Sequence, residues 1–192
     1  MKRQAEAYLP TLFGNFRILV YADAADELMP HIALVHEDFD YRKVVTIRIH
    51  SECMTGDIFG SKKCDCGEQL NAALQMISEQ KGALIYLRQE GRGIGLINKI
   101  KAYQLQEKGL NTIDANTHLG FEADARQYNA AVDILNDLQV KKINLITNNP
   151  LKIKALEQAD FEIIDRIALN IQPNSDNFKY FETKKVFMGH LF

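Results

Sequence analysis

The chain has 192 residues, of which 46% are hydrophobic and 25% are charged, proportions typical of a globular protein with one hydrophobic core. The formal net charge is −2 and the isoelectric point is about 6.2, so overall charge gives no reason to expect binding to nucleic acid or to a membrane. No stretch of the sequence approaches the roughly 20 apolar residues of a membrane-spanning helix.

The N-terminal sequence MKRQAEAYLPTLFGNF has two cations with no apolar run after them, which does not predict a signal peptide. The chain has three cysteines, an odd number, and without an export signal clustered thiols bind metal or react more often than they form disulfides. We therefore expect a cytoplasmic protein. Because no repeat or linker divides the sequence, we predict a single domain over residues 1–192.

Three strands are predicted in the first fifty residues, where β-branched and aromatic side chains are frequent. They are FRILVYAD (residues 16–23), HIALVHED (31–38) and KVVTIRIH (43–50). The next segment, CGEQLNAALQMISEQKG (66–82), has apolar residues at helical spacing and predicts a helix for which Gly82 suits the C-terminal stop.

Helices and strands alternate over the rest of the chain. ALIYLRQ (83–89) predicts a buried strand, the glycine-rich turn EGRGIG follows, and a helix is predicted over 96–108, closed by Gly109. A helix over 124–138, a strand over 143–147, a helix over 151–159 and a strand over 161–169 complete the pattern. This alternation predicts an α/β fold, a mixed β-sheet with helices on both faces in three layers and a strand-rich N-terminal third.

All three cysteines lie in one short segment, SECMTGDIFGSKKCDCGEQL. Cys64 and Cys66 are too close in sequence for an unstrained disulfide in an extended segment, but a turn could aim both sulfurs at one ion. Cys53 follows the end of a predicted strand. Three thiolates suit zinc best among the common intracellular ions.

The number of ligands leaves the role of this zinc open. Three protein ligands and a water are typical of a catalytic site, whereas a fourth ligand, His50 or Asp57, would make the site structural. The remaining alternative is three unrelated buried cysteines. Because three thiolates leave a Zn²⁺ centre at −1, a catalytic site would need cations nearby. Lys62 and Lys63 are candidates, although such a pair can also be a solvated turn.

Two further turns could bind an anion. RQEGRGIGL (88–96) joins a strand to a helix without matching a dinucleotide or P-loop fingerprint, and Arg88, Arg92 and Lys99 supply positive charge. The alternative is a tight turn with exposed arginines. TNNPLK (147–152) also opens a helix, where the alternative is an ordinary Asn/Pro turn with a helix cap.

Asp124 and Arg126 lie two residues apart near a predicted helix start, where Asp124 could simply cap the helix with Arg126 solvated. Considered together with the cysteines and the two turns, these residues indicate metal-assisted hydrolysis of a small phosphorylated substrate.

The motifs HSECMTGDIFGSKKCDCGEQL, LRQEGRGIGLINKIKAYQLQ, NTIDANTHLGFEADAR, ITNNPLK and TKKVFMGHLF closely resemble those of GTP cyclohydrolase II, and the resemblance covers nearly the whole chain. It implies an enzyme of riboflavin biosynthesis that hydrolyses GTP at C8 of the imidazole ring. The implied products are formate, pyrophosphate and 2,5-diamino-6-ribosylamino-4(3H)-pyrimidinone 5′-phosphate. The alternatives are a paralogue that stops at the formylamino product and a catalytically silent, zinc-stabilised GTP-binding module.

The resemblance also implies the site residues, an α/β fold and a homodimer with GTP as its substrate. One zinc ion per subunit would be held by Cys53, Cys64 and Cys66, and Mg²⁺ would assist at the triphosphate. Asp124 corresponds to a proton acceptor, Arg126 to a nucleophile at the α-phosphate, and Tyr103 to a tyrosine of the ring-opening chemistry. The implied GTP contacts are Arg48, Ile49, His50, Ser51, Glu52, Gln69, Glu90, Gly91, Arg92, Thr112, Thr147 and Lys152.

One implied role conflicts with elementary chemistry. A guanidinium is protonated at ordinary pH and has no free lone pair, so stabilising phosphate charge is the physically easier role for Arg126. The sequence departs from the family pattern at a few positions, where a more basic or acidic residue is common: Lys63, Gln127, Leu151 and Phe187.

Overall fold

The computed structural model describes residues 1–122, 124–187 and 189–191, apart from the side chains of Thr112, Lys179 and Phe187. The strands are β1 (Lys2–Thr11), β2 (Gly14–Ala22), β3 (His31–His36), β4 (Val45–Ser51), β5 (Ala83–Leu87), β6 (Lys142–Ile146) and β7 (Glu162–Ile167). The helices are α1 (Met54–Asp57), α2 (Cys66–Glu79), α3 (Gly95–Glu107), α4 (Thr112–His118), α5 (Asn129–Asp137), α6 (Pro150–Glu157) and α7 (Phe178–Phe187). A 3₁₀ turn, Glu90–Gly93, precedes α3.

The described strands form one sheet of seven in the order β1-β2-β3-β5-β4-β6-β7. The first four in this order pair antiparallel, and β5, β4, β6 and β7 pair in parallel. Antiparallel strands can follow one another through short loops, whereas parallel strands need crossover helices. The prediction of a mixed sheet with a strand-rich N-terminal third is confirmed.

Strand β4 lies in the middle of the sheet, and its alternating sequence buries a different chemistry on each face. Ile47 and Ile49 join the larger core with α5 and α6, which contribute Ile134 and Leu156 among others. On the opposite face α2 packs through Ala73 and Ile77. Since helices cover both faces, the three-layer α/β/α prediction is confirmed.

The polar side chains of β4 are buried beneath α1 and α2. Alternation of apolar and polar residues usually indicates a strand with one solvated face. Here Thr46, Arg48 and His50 are all less than 5% exposed and find hydrogen-bond partners in those helices. Burying polar side chains costs free energy, and natural folds accept such a cost mainly at functional sites.

Four elements were not predicted: the short helix α1, the edge strand β1 and the helices α4 and α7. The edge strand β1 has a charged, largely exposed sequence without clear alternation, and its pairing with β2 decides its structure. Helix α4 is composed mostly of weak helix formers and begins at Asn111, whose side chain accepts hydrogen bonds from Ile113 and Asp114. Helix α7 has no strong apolar stripe, so its sequence does not predict a helix, and its contacts near the site stabilise it.

The end of α2 differs in detail from the prediction. The residue in the left-handed conformation is Lys81, with φ of 54°. The Gly82 amide donates to the Ile77 carbonyl, as in the Schellman motif that ends many helices. Gly82 is needed for another reason, because a Cβ there would overlap the Thr46 carbonyl oxygen of β4. Gly109 closes α3 as predicted, with φ of 103°. In the described part of the chain no helix combines the length and apolarity required to cross a membrane.

Candidate metal centre and substrate cavity

The site-forming segments lie at the carboxyl ends of the parallel strands. Cys53 and α1 follow β4, the 3₁₀ turn follows β5, and the TNNP turn follows β6. In open α/β sheets this edge is where ligands bind, because the strands end together and the loops diverge there.

The three thiols converge as predicted. The Sγ atoms of Cys53, Cys64 and Cys66 all lie within 4.8 Å of one another, and those of Cys53 and Cys64 are 3.7 Å apart. Two sulfurs that bind one tetrahedral zinc ion at about 2.3 Å lie about 3.8 Å apart, so the donor set fits such an ion. The alternative of three unrelated buried cysteines is wrong.

Two glycines make this convergence possible. A Cβ at Gly56 of α1 would lie 2.9 Å from Cys64 Sγ and from Cys66 Cβ, and 3.3 Å from Cys53 Sγ. A Cβ at Gly67 of α2 would overlap the Gly56 carbonyl oxygen. The backbones of α1 and α2 therefore touch, and the thiols surround the space that Gly56 leaves open.

Two carboxylates hold the backbone of the Cys53 turn. The amide of Cys53 donates to Asp57 Oδ2 at 2.9 Å, and the amide of Met54 donates to Glu90 Oε2 at 2.6 Å. Asp57 also accepts from Tyr86 Oη at 2.8 Å and lies 3.1 Å from His50 Nε2. Asp57 therefore positions Cys53.

The suggested fourth ligands have other partners. Among the described residues, the group that could hold a metal contains the three cysteines without His50 or Asp57. His50 stacks on the Tyr86 ring, and its burial lowers the pKa of the imidazole despite the neighbouring Asp57. The arrangement favours the catalytic type of centre, with three protein ligands and an open position.

A cation does lie at the thiols, but it is not one of the lysines before Cys64. Nζ of Lys99 is 3.1 Å from Cys53 Sγ and 2.8 Å from Glu90 Oε1. Burial alone would lower the pKa of Lys99, but the Cys53 thiolate and the Glu90 carboxylate outweigh it and raise that pKa. The pKa of Cys53 is lowered by hydrogen bonds from the other two thiols and by Lys99.

Lys63 instead contacts groups away from the thiols. Its Nζ is 3.4 Å from Glu107 and 4.7 Å from the centre of the Tyr103 ring.

A cavity of about 540 Å³ opens over the thiols, a volume usual for small-molecule sites. Its wall includes these residues predicted from the sequence: Ser51, Glu52, Cys53, Cys64, Cys66, Glu90, Gly91, Arg92, Tyr103 and Arg126. Burial raises the pKa of Tyr103, which also hydrogen-bonds to Thr55. The fold thus brings together the metal centre, the glycine turn and Arg126 in one space.

The glycine turn is partly buried and lines the cavity. Gly91 and Arg92 have φ of 63° and 62°, and a left-handed arginine is a strained conformation that functional sites often keep. Gly93 allows the segment after α4 to pass, since a Cβ there would lie 3.1 Å from the Ala125 carbonyl oxygen. Arg92 is half-buried, and Arg88 pairs with Glu52 at 3.1 Å. The alternative of a turn with exposed arginines is wrong.

Asp124 and Arg126 form a partly buried two-point ion pair. Nε and Nη2 of Arg126 donate to the two Asp124 oxygens at 2.8 and 2.5 Å. Helix α5 begins later, at Asn129, so the alternative in which Asp124 caps a helix and Arg126 is solvated is wrong. Although burial opposes ionisation of both groups, their pairing lowers the pKa of Asp124 and raises that of Arg126.

Other predicted contacts are buried and lie outside the cavity wall. Arg48 donates to the Ile146 carbonyl at 3.1 Å and to Gln69 at 2.7 Å, and burial lowers its pKa to about 10. Nζ of Lys152 donates to the Ile49 carbonyl at 2.6 Å, and burial lowers its pKa. Of the remaining predicted contacts, the side chain of Thr112 lies outside the described residues.

The TNNP turn is an ordinary helix cap, as one alternative proposed. Thr147 Oγ1 accepts from the Asn149 amide at 3.0 Å, and Asn149 Oδ1 accepts from the Leu151 amide at 2.9 Å. Pro150 occupies the first turn of α6, where its missing amide hydrogen has no cost. The cap fixes the segment from which Lys152 reaches β4.

The contribution of α7 to the site was not predicted from the sequence. Tyr180, Glu182 and Thr183 of this helix line the cavity, and Nζ of Lys184 lies 2.5 Å from Asp65 Oδ1, both side chains being buried. Asp65, between Cys64 and Cys66, also accepts from Gln69. Its place inside the C-x-C motif was the signal that could have identified it.

The departures from the family pattern lie outside the thiol cluster. Gln127 and Leu151 line a shallow surface pocket beside Arg126, and both are exposed. The side chain of Phe187 lies outside the described residues. These positions leave the metal ligands unchanged.

Comparisons with known proteins agree with these features. The family model described as GTP cyclohydrolase II matches residues 2–168. The chain is 48% identical over 192 residues to a riboflavin biosynthesis protein RibBA of Chlorobium phaeovibrioides and 50% identical over 190 residues to one of Bacillus cereus. The two matches include 100% and 98% of this chain. The chain spans about half the length of those relatives, 47% and 48% respectively.

Among solved structures, it is similar to RibBX from A. baumannii, a two-domain 3,4-dihydroxy-2-butanone 4-phosphate synthase. The TM-score is 0.46 with 19% identity, over 88% of this chain and 40% of that one.

Proposed function

The chain belongs to the GTP cyclohydrolase II family, and from that premise we propose that it is a zinc-dependent enzyme that opens the imidazole ring of GTP at C8. The products would be formate, pyrophosphate and 2,5-diamino-6-ribosylamino-4(3H)-pyrimidinone 5′-phosphate, in the first step of riboflavin biosynthesis. Ring opening, deformylation and cleavage of the phosphoanhydride each consume one water molecule. The cavity therefore has to deliver water to two separate parts of one substrate.

The observation that carries the proposal is the three-thiol cluster at the wall of the cavity. The 3.7 Å separation of Cys53 and Cys64 Sγ and the burial of both thiols suit one zinc ion bound by Cys53, Cys64 and Cys66. When bound, zinc would supply an activated water for attack at a carbon of the purine ring.

Arg126 is the best candidate for the phosphate end of the reaction. Its guanidinium lines the cavity, and Asp124 orients it through two hydrogen bonds. We propose that Arg126 stabilises charge at the α-phosphate, because a guanidinium held by a carboxylate is firmly protonated. Asp124, with its lowered pKa, is a weak base in this state and would accept a proton only after the pair rearranges.

Tyr103 is proposed to act near the ring that opens. It lines the cavity on α3 and hydrogen-bonds to Thr55, whose Oγ1 is 3.6 Å from Cys53 Sγ. The remaining GTP contacts implied by the family pattern are retained as proposals: Arg48, Ile49, His50, Ser51, Glu52, Gln69, Glu90, Gly91, Arg92, Thr112, Thr147 and Lys152.

Mg²⁺ is proposed to accompany the triphosphate. Carboxylates on the cavity wall outnumber its cationic side chains, and Lys63, Lys99 and Arg126 already have carboxylate neighbours. A polyanion would enter more readily with a divalent ion that offsets its charge.

We further propose that residues 1–192 form one domain, that the enzyme is a cytoplasmic homodimer, and that GTP rather than nucleic acid or membrane is its partner. Support for one domain comes from α7, beyond the residues matched by the family model, which reaches the thiol segment through Lys184 and Asp65. Sedimentation analysis would test the homodimer.

The test of the proposed function is an assay with purified protein, GTP, Zn²⁺ and Mg²⁺ that measures formate, pyrophosphate and the diaminopyrimidine separately. All three products are expected. GTP consumption without formate would identify a paralogue that stops at the formylamino product. GTP binding without turnover at saturating zinc would identify a silent binding module.

The metal ligands have a separate test. Cys64→Ser should lose both stoichiometric zinc and activity, because a hydroxyl is a poor replacement for thiolate at this ion. Zinc would be measured by elemental analysis of the folded variant, with circular dichroism to verify the fold. A variant that keeps one zinc per chain would show that the ligand set is wrong.

A further inference from the structure

One ammonium group is built into the thiol cluster. Three thiolates on a divalent ion carry a net negative charge, which weakens the ion's ability to polarise water. Nζ of Lys99 lies 3.1 Å from Cys53 Sγ. We propose that Lys99 is the charge-balancing residue of the metal centre, donating to the Cys53 thiolate and so keeping the bound ion electrophilic. This inference rests on the zinc-dependent function proposed above.

Lys99 is fixed in this place by Glu90. Oε1 of Glu90 accepts from Lys99 Nζ at 2.8 Å and from the Gly91 amide at 2.7 Å, while Oε2 accepts from the Met54 amide at 2.6 Å. The Glu90 carboxylate thus ties Lys99 to both the glycine turn and the Cys53 turn. A lysine side chain usually moves freely in solvent, but Lys99 is 9% exposed and its ammonium contacts both Cys53 and Glu90.

The buried arrangement explains why the contact matters. An ammonium in a low-dielectric site interacts with a thiolate more strongly than it would in water. If the thiolate were absent, the buried ammonium would keep its desolvation penalty without this compensating attraction. Other cations of the cavity are differently engaged: Lys63 lies at Glu107, and Arg126 pairs with Asp124. Lys99 is therefore a positioning residue that acts through the Cys53 sulfur.

The test uses the protein of 192 residues loaded with Co²⁺, which reports on sulfur ligation through its thiolate-to-metal charge-transfer bands. A positive charge beside a thiolate stabilises the sulfur electrons and raises the energy of these bands. Lys99→Met should therefore shift them to longer wavelength, Lys99→Gln should shift them less, and Lys99→Arg should restore them in part. Lys101→Met, an exposed lysine on the same helix, is the matched control and should leave them unchanged.

Steady-state kinetics with zinc-loaded protein give a second readout. A partner of a metal ligand typically affects function by about tenfold to a hundredfold, so Lys99→Met should lower kcat by about that factor. The KM for GTP should change by less than about threefold, because the lost interaction strengthens the chemical step rather than substrate binding. A large rise in KM with unchanged kcat would instead make Lys99 a substrate contact and overturn the proposal.

The outcomes separate the two proposals. If the wild-type protein binds no Co²⁺ or Zn²⁺ at its thiols, the metal centre is wrong, and this inference is wrong with it. If wild type and Lys99→Met both bind one Co²⁺ with identical spectra, the charge-balancing role alone is overturned. Should Lys99→Met not fold, Lys99→Gln carries the test, because its amide can still donate to Glu90 while the charge is lost.

Discussion

The sharpest prediction concerns Gly56, the residue around which the three sulfurs pack. Alanine at this position would place a Cβ 2.9 Å from Cys64 Sγ and 2.9 Å from Cys66 Cβ. Ordinary contacts between such atoms are about 3.5–4.0 Å, so the overlap is about 0.6 Å or more. Cys64 can rotate its sulfur, but the Cβ of Cys66 is fixed to the backbone of α2. The two helices must therefore move apart.

This displacement acts mainly on metal binding. Zinc–ligand distances tolerate about 0.2 Å, so a shift of about 0.6 Å between α1 and α2 spoils the site. We expect zinc affinity to fall at least about tenfold, which corresponds to about 1.4 kcal/mol. The metal-free protein should lose about 2 kcal/mol of stability at most, because overpacking of about 1–3 kcal/mol is offset by alanine's better helix propensity, worth about 1 kcal/mol.

The assay is competition for zinc with a chromogenic chelator, beside urea unfolding of the metal-free protein. Gly60→Ala is the control, because a Cβ there meets nothing within 4 Å and adds the same methyl group near the same loop. Its left-handed φ of 61° should cost about 1 kcal/mol of stability without lowering zinc affinity. Wild-type affinity in Gly56→Ala would refute the packing of the thiols around this glycine.

Two further predictions concern the fold away from the thiols. Gly82→Ala should lower the free energy of unfolding by about 3 kcal/mol, since the new methyl overlaps the rigid Thr46 carbonyl; urea denaturation measures this, and a loss under about 1 kcal/mol would contradict it. His31 accepts from the Arg88 amide, and its burial lowers the imidazole pKa, so its contribution to stability is full above the unfolded pKa of about 6.5 and declines as pH falls below it. Between pH 7.5 and 5.5 the wild type should lose more stability than His31→Gln, and parallel pH profiles would reject this role.

Local patterns in the sequence were sufficient to identify the fold class and the group of three cysteines that could hold a metal ion. The β-branched and aromatic residues of β2 and β3, the short apolar run of β5 and the apolar spacing in α2 are local signals that follow from backbone geometry and side-chain shape. Cys64 and Cys66 are so close in sequence that few conformations keep their sulfurs apart. The elements that were not predicted are α1, β1, α4 and α7. Their sequence patterns are weak because neighbouring elements determine their structure.

The environment of the site depended on the tertiary structure. Lys62 and Lys63 were the natural candidates for a cation at the thiols because they adjoin Cys64, yet Lys99, 46 residues from Cys53, is the residue in contact. Likewise one alternative made Asp124 a helix cap, but in the structure Asp124 accepts hydrogen bonds from Arg126. Sequence distance does not measure spatial distance once a crossover helix separates two adjacent strands.

The sequence by itself determined the family and the residues from which a site can be built, because thiols, glycines and arginines at fixed spacing limit what a local segment can bind. The tertiary structure alone decided which cation lies beside the thiols and that α7 forms part of the cavity wall. The order of β5, β4 and β6 brings Lys99 and Glu90 to Cys53, and the path of α7 brings Lys184 to Asp65, 119 residues away. Burial strengthens the attraction within each of these pairs, and only the completed packing provides that burial.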